Sequence, residues 1–462
     1  MTREPPNVPQ DSLYAARQKV YPREVSGRFN RLRTIAVVVL LGLFYVMPWV
    51  RWEGHQAILF DLPARKFHVF GLTFFPQDFF LLTWLLIIAA LSLFFFTALA
   101  GRLWCGYACP QTVWTQIFVW MERLAEGSRQ QRIKLDRGPW NFNKIWRKTA
   151  KQTMWISFAL FTGYTFVGYF TPIRELTDHV LTLSLGKWEL FWTLFYGFAT
   201  YGNAGYMREQ VCKYMCPYAR FQSAMFDRDT LIIAYDANRG EPRGSRPRKI
   251  DPRSRNLGDC IDCTLCVQAC PTGIDIRKGL QLECIACAAC IDACDAVMDQ
   301  MGYPRALVRY TTQNATDGKP TRILRPRILV YGTLLTLLIS GFIFAVATRQ
   351  LIELDVLRDR NALYRTLDDG RIENVYTLRL VNKNGDPRTV RLYVEGLPGA
   401  ELDAETTTVR IDPAAVMSVP VRVRAPAGSV SGGIDVRIVA EELGGKSKRI
   451  ESKARFIAPV GP

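Results

Sequence analysis

Cys260-Ile261-Asp262-Cys263-Thr264-Leu265-Cys266-Val267-Gln268-Ala269-Cys270-Pro271 and Cys284-Ile285-Ala286-Cys287-Ala288-Ala289-Cys290-Ile291-Asp292-Ala293-Cys294-Asp295 are two consecutive C-x2-C-x2-C-x3-C runs. Thiolates at that spacing wrap paired iron-sulfur cubanes, so the stretch points to electron transfer. The second run repeats the first beyond its sulfurs, in Cys-Ile at the start and Ala-Cys at the end. In two-cluster ferredoxins the fourth cysteine of each run serves the other cluster. One [4Fe-4S] cluster is therefore assigned to Cys260, Cys263, Cys266 and Cys294, and the other to Cys284, Cys287, Cys290 and Cys270. Pro271 follows its run as expected, whereas Asp295 stands where the second proline would be and predicts a changed turn after Cys294. Structural zinc sites pair C-x2-C across longer gaps, and a disulfide framework needs an oxidising compartment; both fit poorly.

Outward from this stretch the chain reads as a membrane protein. Of its 462 residues 12% are aromatic, and the apolar residues gather in long runs. Thr34 to Val50, Phe79 to Ala100, Met154 to Phe170, Trp188 to Tyr206 and Ile328 to Thr348 are nearly free of charge and approach the ~20 residues needed to span hydrocarbon. Gly197, Gly202, Asn203 and Gly205 dilute the fourth. Lys and Arg alternate around these spans. Seven precede the first (Arg3, Arg17, Lys19, Arg23, Arg28, Arg31, Arg33) and ten lie between the second and third, from Arg102 to Lys151. The first-to-second connection has only Arg51, Arg65 and Lys66, and the third-to-fourth only Arg174 and Lys187. By the positive-inside rule the N-terminus and the cysteine runs are cytoplasmic and the C-terminus is periplasmic, in a bacterial inner membrane. All twelve cysteines then fall on the reducing side. The net charge of +17 is read as cytoplasmic Lys and Arg lying against an anionic leaflet, not as a nucleic-acid surface. The leader before the first span is long, polar and without a small-residue cleavage site, so that span is read as an anchor.

After Thr348 short alternating stretches appear, Tyr376 to Val381, Val390 to Val394, Thr406 to Ile411, Val416 to Arg424, Ile434 to Val439 and Lys453 to Ile457, separated by turns such as Asn384-Gly385-Asp386. They predict a small antiparallel sandwich of immunoglobulin type without a disulfide, suited to docking a partner or to capping the membrane domain. The expected fold is thus a five-span α-helical membrane protein with an inserted two-cluster ferredoxin-like segment and a C-terminal immunoglobulin-like β-sandwich. Its parts are a basic N-terminus (1–33), a four-span domain (34–227), the dicluster segment (228–327), a fifth span (328–348) and the β domain (349–462).

The other four cysteines form a repeat, Cys105-Gly106-Tyr107-Ala108-Cys109-Pro110 and Cys212-Lys213-Tyr214-Met215-Cys216-Pro217. Each C-x-Y-x-C-P follows an apolar run, so the two predict an internal repeat whose motifs meet across a pseudo-twofold axis. A spacing of four places both sulfurs on one side of a helical turn, and the proline suits the first position of a following helix. Four soft thiolates suit Cu(I), zinc or an iron-sulfur cluster, and the thioethers of Met207, Met215 and Met225 favour copper. A third cluster, a redox dithiol and a structural role stay open. His55, His68 and His179 all map to the outer connections, as ligands for a hydrated metal or a quinol, or as interfacial polar residues.

This combination resembles the cytochrome c oxidase accessory proteins of the CcoG/FixG/RdxA family. The resemblance covers nearly the whole chain and implies reduction of Cu(II) to Cu(I) for the copper centre of cbb3-type oxidases, beside a copper P-type ATPase and copper chaperones. It implies that Cys105, Cys109, Cys212 and Cys216 hold the copper and that the clusters supply the electron, from a donor that no motif names. Copper(II) prefers nitrogen and oxygen ligands and Cu(I) prefers sulfur, so a soft site favours the reduced ion. The chain has no catalytic triad, phosphate loop or nucleotide fingerprint, and a one-electron step needs none. A second reading resembles the quinol-oxidising ferredoxin subunits of periplasmic nitrate reductase systems, which feed electrons to another respiratory enzyme. A third is a non-enzymatic scaffold that senses redox state.

Overall fold

The computed structural model describes residues 19–248, 255–359, 362–426, 428–443 and 448–459, apart from two side chains at 220 and 223. Arg3 and Arg17 lie outside the described residues, as do 1–18 of the basic N-terminus and 249–254 of the dicluster segment. The chain divides into two compact units, one of 1–46, 87–167 and 184–337, the other of 47–86, 168–183 and 338–462.

The first unit holds helix α1 (Arg28–Val46) and the later part of α2 (Phe79–Ala100), followed by α3 (Leu103–Tyr107), α4 (Pro110–Glu126), α5 (Arg129–Arg137) and α6 (Phe142–Val167). Beyond α7 (Ile173–Leu181), which belongs to the second unit, it continues with α8 (Lys187–Thr200) and α9 (Pro217–Met225). Three helical stretches among the described residues are long and apolar enough to cross a membrane, Arg28–Trp49, Pro76–Ala100 and Pro326–Thr348. The expected third and fourth spans are helical but do not meet that standard. Lys and Arg occupy the first turns of α6, and α8 stops after 14 residues. These two helices pack closely. A Cβ at Gly163 would stand 2.2 Å from the carbonyl oxygen of Thr193 and 2.8 Å from the nitrogen of Gly197, so only small residues permit the approach.

The stretch expected as one helix from Trp188 to Tyr206 widens after Thr200 into π turns over Tyr201–Met207 and Val211–Met215. Gly202, Asn203 and Gly205 are poor α-formers. Gln111 of α4 donates its Nε2 to the carbonyls of Asn203 at 2.9 Å and Arg208 at 3.1 Å, tying α4 to the wider turn. Arg208 itself sits at φ 41°. It is held there by Glu122 at 2.7 Å and by the carbonyl of Gly205 at 2.8 Å.

Part of the basic charge is neutralised internally and does not face a leaflet. Glu122, Glu126 and Arg132 are fully buried, Arg132 and Arg208 pair with Glu122, and Lys148 and Lys151 both reach Glu126 at 2.9 Å. Lys19 and Lys148 also pair with Asp136, which with Tyr21 hold its carboxyl well below the usual range despite burial. The expectation that these cations serve the membrane surface is corrected to that extent: acidic residues of α4 and α5 draw them inward.

The short strands β1 (Arg51–Trp52), β2 (His55–Gln56), β3 (Ile58–Asp61), β4 (Lys66–Val69) and β5 (Leu72–Phe74) belong to the second unit, and the cysteine runs lie between strands β6 (Ile232–Tyr235) and β7 (Val308–Thr311), which pair antiparallel with Ile232 opposite Thr311. Short α10 (Ala237–Gly240), α11 (Leu265–Ala269) and longer α12 (Ala289–Met301) complete this half, with α13 (Gln313–Thr316) and the start of α14 (Pro326–Thr348) after it. Ile233, Ala288, Ile291, Met298 and Leu307 form its core. Asp295 does not change a turn here, because α12 runs through Cys294 and Asp295 to Met301. A proline would break that helix, and the carboxylate instead accepts from the Ala306 nitrogen at 2.9 Å.

In the second unit, residues read as a plain outer connection form a hairpin of β1 with β2 and the meander β3-β4-β5. The C-terminal strands are β8 (Ile352–Arg358), β9 (Arg365–Thr366), β10 (Ile372–Asn382), β11 (Arg388–Glu395), β12 (Glu401–Asp403), β13 (Thr408–Ile411), β14 (Val416–Ala425), β15 (Gly433–Leu443) and β16 (Arg449–Ile457). They make two antiparallel sheets, β12-β14-β10-β8, with β9 added on β10, and β13-β11-β15-β16. Alternate residues Tyr376, Leu378, Leu380, Val421, Val423, Val436 and Ile438 fill the space between them. All six predicted stretches are strands. β8 escapes prediction because no turn residue separates it from the apolar run of α14. With no cysteine to join the sheets, polar side chains do so: Tyr376 donates its hydroxyl to the carbonyl of Arg455 at 2.9 Å, and Asn374 exchanges two bonds with Ile457.

Candidate metal and electron-transfer site

Both cysteine runs adopt the same strained backbone. Asp262 and Thr264 flank Cys263 at φ 55° and 58°, and Ala286 and Ala288 flank Cys287 at 52° and 59°. Left-handed conformations at non-glycine residues cost roughly 1 kcal/mol or more each, and successive turns of this kind aim backbone N–H groups into one concavity. The loops enclose two cavities. One is lined by Cys260, Cys263, Cys266 and Cys294, the other by Cys270, Cys284, Cys287 and Cys290, with Cys266 at the edge of the second as well. The fourth cysteine of each run thus lies with the first three of the other.

Iron-sulfur clusters fit these cavities on donor chemistry and on strain. Burial pushes the Cys266 thiol up to about 11 and those of Cys284 and Cys294 up to about 12, with neighbouring thiols adding to each. Thiols so raised become thiolates only when a metal supplies the compensating charge. Among the described residues no three His, Cys, Asp or Glu side chains close on a single ion position. The ligands of a cubane hold different irons and stand wider apart than those of one ion.

The C-x-Y-x-C-P motifs break between their cysteines and do not form one helical turn, which corrects the spacing argument. Cys105 lies in α3, whereas Cys109 is extended (φ −62°, ψ 128°) and caps α4 with Pro110 at its first position. Cys212 lies in the second π turn, and Cys216 caps α9 with Pro217 next. Proline ends one element and starts the next, as expected of it.

The structure brings these four cysteines together. The Cys212 thiol is pushed up to about 12 by burial and then by the thiols of Cys109, Cys105 and Cys216. Cys105 is pushed up to about 11 by burial and Cys109, and it donates to Gln222 Oε1 at 3.3 Å. Gln222 is fully buried and its Nε2 has no hydrogen-bond partner among the described residues, a donor available to a bound group. Cys105 and Cys212 also pack against the buried cluster that includes Ile285 and Cys287 of the second run.

Residues outside the cysteine pattern join the two sites. A Cβ at Gly106 would meet the Cys287 Cα at 2.8 Å and the carbonyl oxygens of Ile285 and Ala286 at 2.8 and 2.9 Å. Tyr310 donates to the carbonyl of Ala286 at 2.6 Å and meets the Tyr107 hydroxyl at 3.4 Å. Arg102, 6% exposed, donates to the carbonyls of Leu282 and Ala219, and its charge opposes the rise of the Cys105, Cys212 and Cys284 thiols alike. Gly106 and Tyr107 stood inside a quoted motif, but Arg102, Gln222 and Tyr310 carried no local signal. The repeat is not symmetric here: Tyr107 is engaged, whereas Tyr214 is 63% exposed. Because backbone cannot yield as a side chain can, Gly106→Ala is expected to cost about 1–3 kcal/mol and to lower retained iron. Gly202→Ala, where a Cβ meets nothing within 4 Å, is the control, and equal denaturation midpoints would refute the tight contact.

Of the three histidines, His55 and His68 come together, with ring centroids 4.5 Å apart. His68 contacts Thr73 at 3.0 Å, and burial, then the charge of His55, lowers it to about 4. His179 lies in α7.

Comparison with known proteins places these parts in context. A 4Fe-4S dicluster domain model matches residues 207–313, a 4Fe-4S binding domain model matches 81–126, and the IG-like fold at the C-terminal of FixG matches 342–459. Nitrogen fixation protein FixG of Rhizobium meliloti is 38% identical over 461 residues, 90% of this chain and 88% of its own. Proteins RdxB and RdxA of Cereibacter sphaeroides are 42% and 40% identical, covering 90% and 94% of this chain and 89% and 96% of theirs. The crystal structure of a FixG-related protein from Vibrio parahaemolyticus is 27% identical and covers 24% of this chain and 97% of its own, with a TM-score of 0.22.

Proposed function

The chain belongs to the FixG/RdxA family of iron-sulfur oxidoreductases, and from that premise we propose that it reduces Cu(II) to Cu(I) for the copper centre of a cbb3-type cytochrome c oxidase. The observation that carries the reading is the convergence of Cys105, Cys109, Cys212 and Cys216, of which Cys105 and Cys212 pack against the buried cluster that includes Cys287. When bound, the two clusters store and pass single electrons. The chain's own residues do the rest. Cys260, Cys263, Cys266 and Cys294 hold one cluster, and Cys270, Cys284, Cys287 and Cys290 hold the other. Gly106 lets the copper-side thiols approach, Tyr310 and Arg102 fix the loops between, and the soft sulfurs draw copper towards its reduced state. Cu(I) accepts as few as two thiolates, so the pairs need not close on one ion. No proton has to move in the copper step. A copper-exporting ATPase and copper chaperones are the expected partners.

Five spans with a cytoplasmic N-terminus and a periplasmic β domain fit this role. The Lys and Arg distribution supports that arrangement, as does the grouping of 47–86 and 168–183 in one unit with the C-terminal domain. Reporter fusions at Lys151 and Asp317 should give a cytoplasmic signal and one at Ser429 a periplasmic signal; a cytoplasmic Ser429 removes a span.

A second reading, a third cluster on the four thiols, is favoured by the 4Fe-4S binding model that includes Cys105 and Cys109. One experiment separates the two. Changing Cys105 and Cys216 to Ser should leave cluster absorbance and iron unchanged while abolishing Cu(II) reduction, followed anaerobically with a Cu(I)-specific chelator. In cells, active oxidase should fall most when copper is scarce and recover partly when copper is in surplus. Loss of about four irons from about twelve in the double variant selects the third cluster. Wild-type Cu(II) reduction by the double variant refutes the copper site.

A further inference from the structure

A cavity of ≈380 Å³ lies beside the cysteine loops within the first unit. That volume is in the range that holds a small organic ligand. Its wall is mainly apolar, formed by the first turns of α1, one face of α4 and the cysteine-bearing loops. Thr272 and Ile285 line both this cavity and the one formed by Cys270, Cys284, Cys287 and Cys290, and Cys212 lines it as well. The partition between ligand space and cysteine centre is therefore one residue thick. At the other end Val38 and Trp120 line it while 65% and 51% exposed, so its mouth opens beside the apolar outer face of α1.

By residue half of the lining is polar, and six of those residues are charged, Arg23, Glu24, Arg33, Arg123, Arg208 and Glu209. Arg33 and Arg123 line the cavity, and the Nε–H of each is buried without a hydrogen-bond partner among the described residues. Leaving such a donor unmet costs about 1–3 kcal/mol, so the site calls for acceptor oxygens. Glu209, 5% exposed, lines the same space.

We propose that this cavity is a binding site for a membrane quinol, the electron donor to the cysteine-held centres. An aromatic ring fits the apolar walls, its two oxygens meet the guanidinium donors, and its isoprenoid tail leaves past Val38 into lipid. Oxidation breaks both O–H bonds and leaves two ring carbonyls, two electrons and two protons. The electrons cross the Thr272–Ile285 partition one at a time, and the Glu209 carboxylate receives the two protons in turn, passing each to water. With copper as final acceptor the balance is QH2 + 2 Cu(II) → Q + 2 Cu(I) + 2 H+. The inference deepens the electron-transfer reading by naming its donor, and it can fail separately from the copper step.

The test uses purified full-length protein with its clusters, under anaerobic conditions and without copper. Decylubiquinol should bleach the cluster absorbance, and decylubiquinone should bind in calorimetry beyond its partition into detergent alone. Thr115→Trp and Val119→Trp, one turn apart on α4, fill the cavity from the same wall. Each should weaken decylubiquinone binding and slow bleaching at least tenfold, with iron content reporting whether the variant is folded and loaded. No bleaching of the wild type, or equal binding and bleaching in loaded variants, overturns the proposal. So does displacement of decylubiquinone by phosphatidylglycerol alone at equimolar amounts, which makes the cavity a lipid site. Dithionite-reduced wild-type protein given Cu(II) tests the copper reading independently.

Discussion

Replacing Cys287 by Ser is expected to remove about half of the iron and acid-labile sulfide, from about eight of each per chain to about four. Cys287 is 7% exposed, lies in the wall of the second cavity and is touched from behind by Gly106. Its neighbours Ala286 and Ala288 are held left-handed, at about 1–3 kcal/mol each, and that strain persists only while the bound cluster over-determines the loop. Protein abundance should therefore fall together with iron. Cys263→Ser should empty the first cavity at a smaller cost in abundance, because Cys263 is exposed and no second motif rests on it. Anaerobic iron and sulfide analysis decides. Full iron in Cys287→Ser would remove it from the ligand set, and a wild-type value near twelve would transfer the four remaining thiols to a third cluster.

The second large effect lies in the other unit. Lys383 reaches Asp78 at 2.7 Å and Glu353 at 2.6 Å, with its side chain 1% exposed and that of Asp78 5%. Asp78 also accepts from the Phe75 nitrogen at 3.1 Å, fixing the turn that leads into α2. Lys383→Met keeps the volume but strands a buried carboxylate, and removing one partner of such a pair costs about 3–5 kcal/mol. Asp78→Asn alone leaves the lysine facing a neutral acceptor. The double variant should recover most of the loss, because an amide still accepts from Phe75 and the carboxylate that loses the lysine, Glu353, is 27% exposed to solvent. Denaturant midpoints of the detergent-solubilised protein give the coupling. Additive effects of the two changes would show the pair to be screened.

The legible features were those with a local period. Cysteine spacing announced the two runs, and the αL turns repeat because the run repeats. Alternation exposed six strands of the sandwich, since each needs only residues two apart to face one core. β8 was lost because it continues an apolar span without punctuation. The fourth span looked continuous because hydropathy averages over residues, whereas the helix answers to each glycine and to Gln111 from another helix. Asp295 was read against a proline that the helix α12 has no place for.

By itself the sequence determined the chemistry available to this protein, twelve thiols in two kinds of motif, three unmistakably apolar helices and a cysteine-free β domain, because each is a property of neighbours along the chain. The two sets of four around the runs follow from spacing, but that Cys105 and Cys212 pack against the second run's cluster was decided only by the tertiary structure. Asp292 shows the difference: it sits between two cysteines of the second run, yet its carboxylate accepts from the backbone nitrogens of Phe29 and Asn30 at 3.2 and 2.7 Å, capping α1 across 263 and 262 residues of sequence. Gly106 against Cys287, Arg102 beneath both thiol groups and Lys383 on Asp78 are contacts of the same kind. They join residues whose separation leaves no periodic trace, and their energy comes from burial, which exists only once the chain has closed around them.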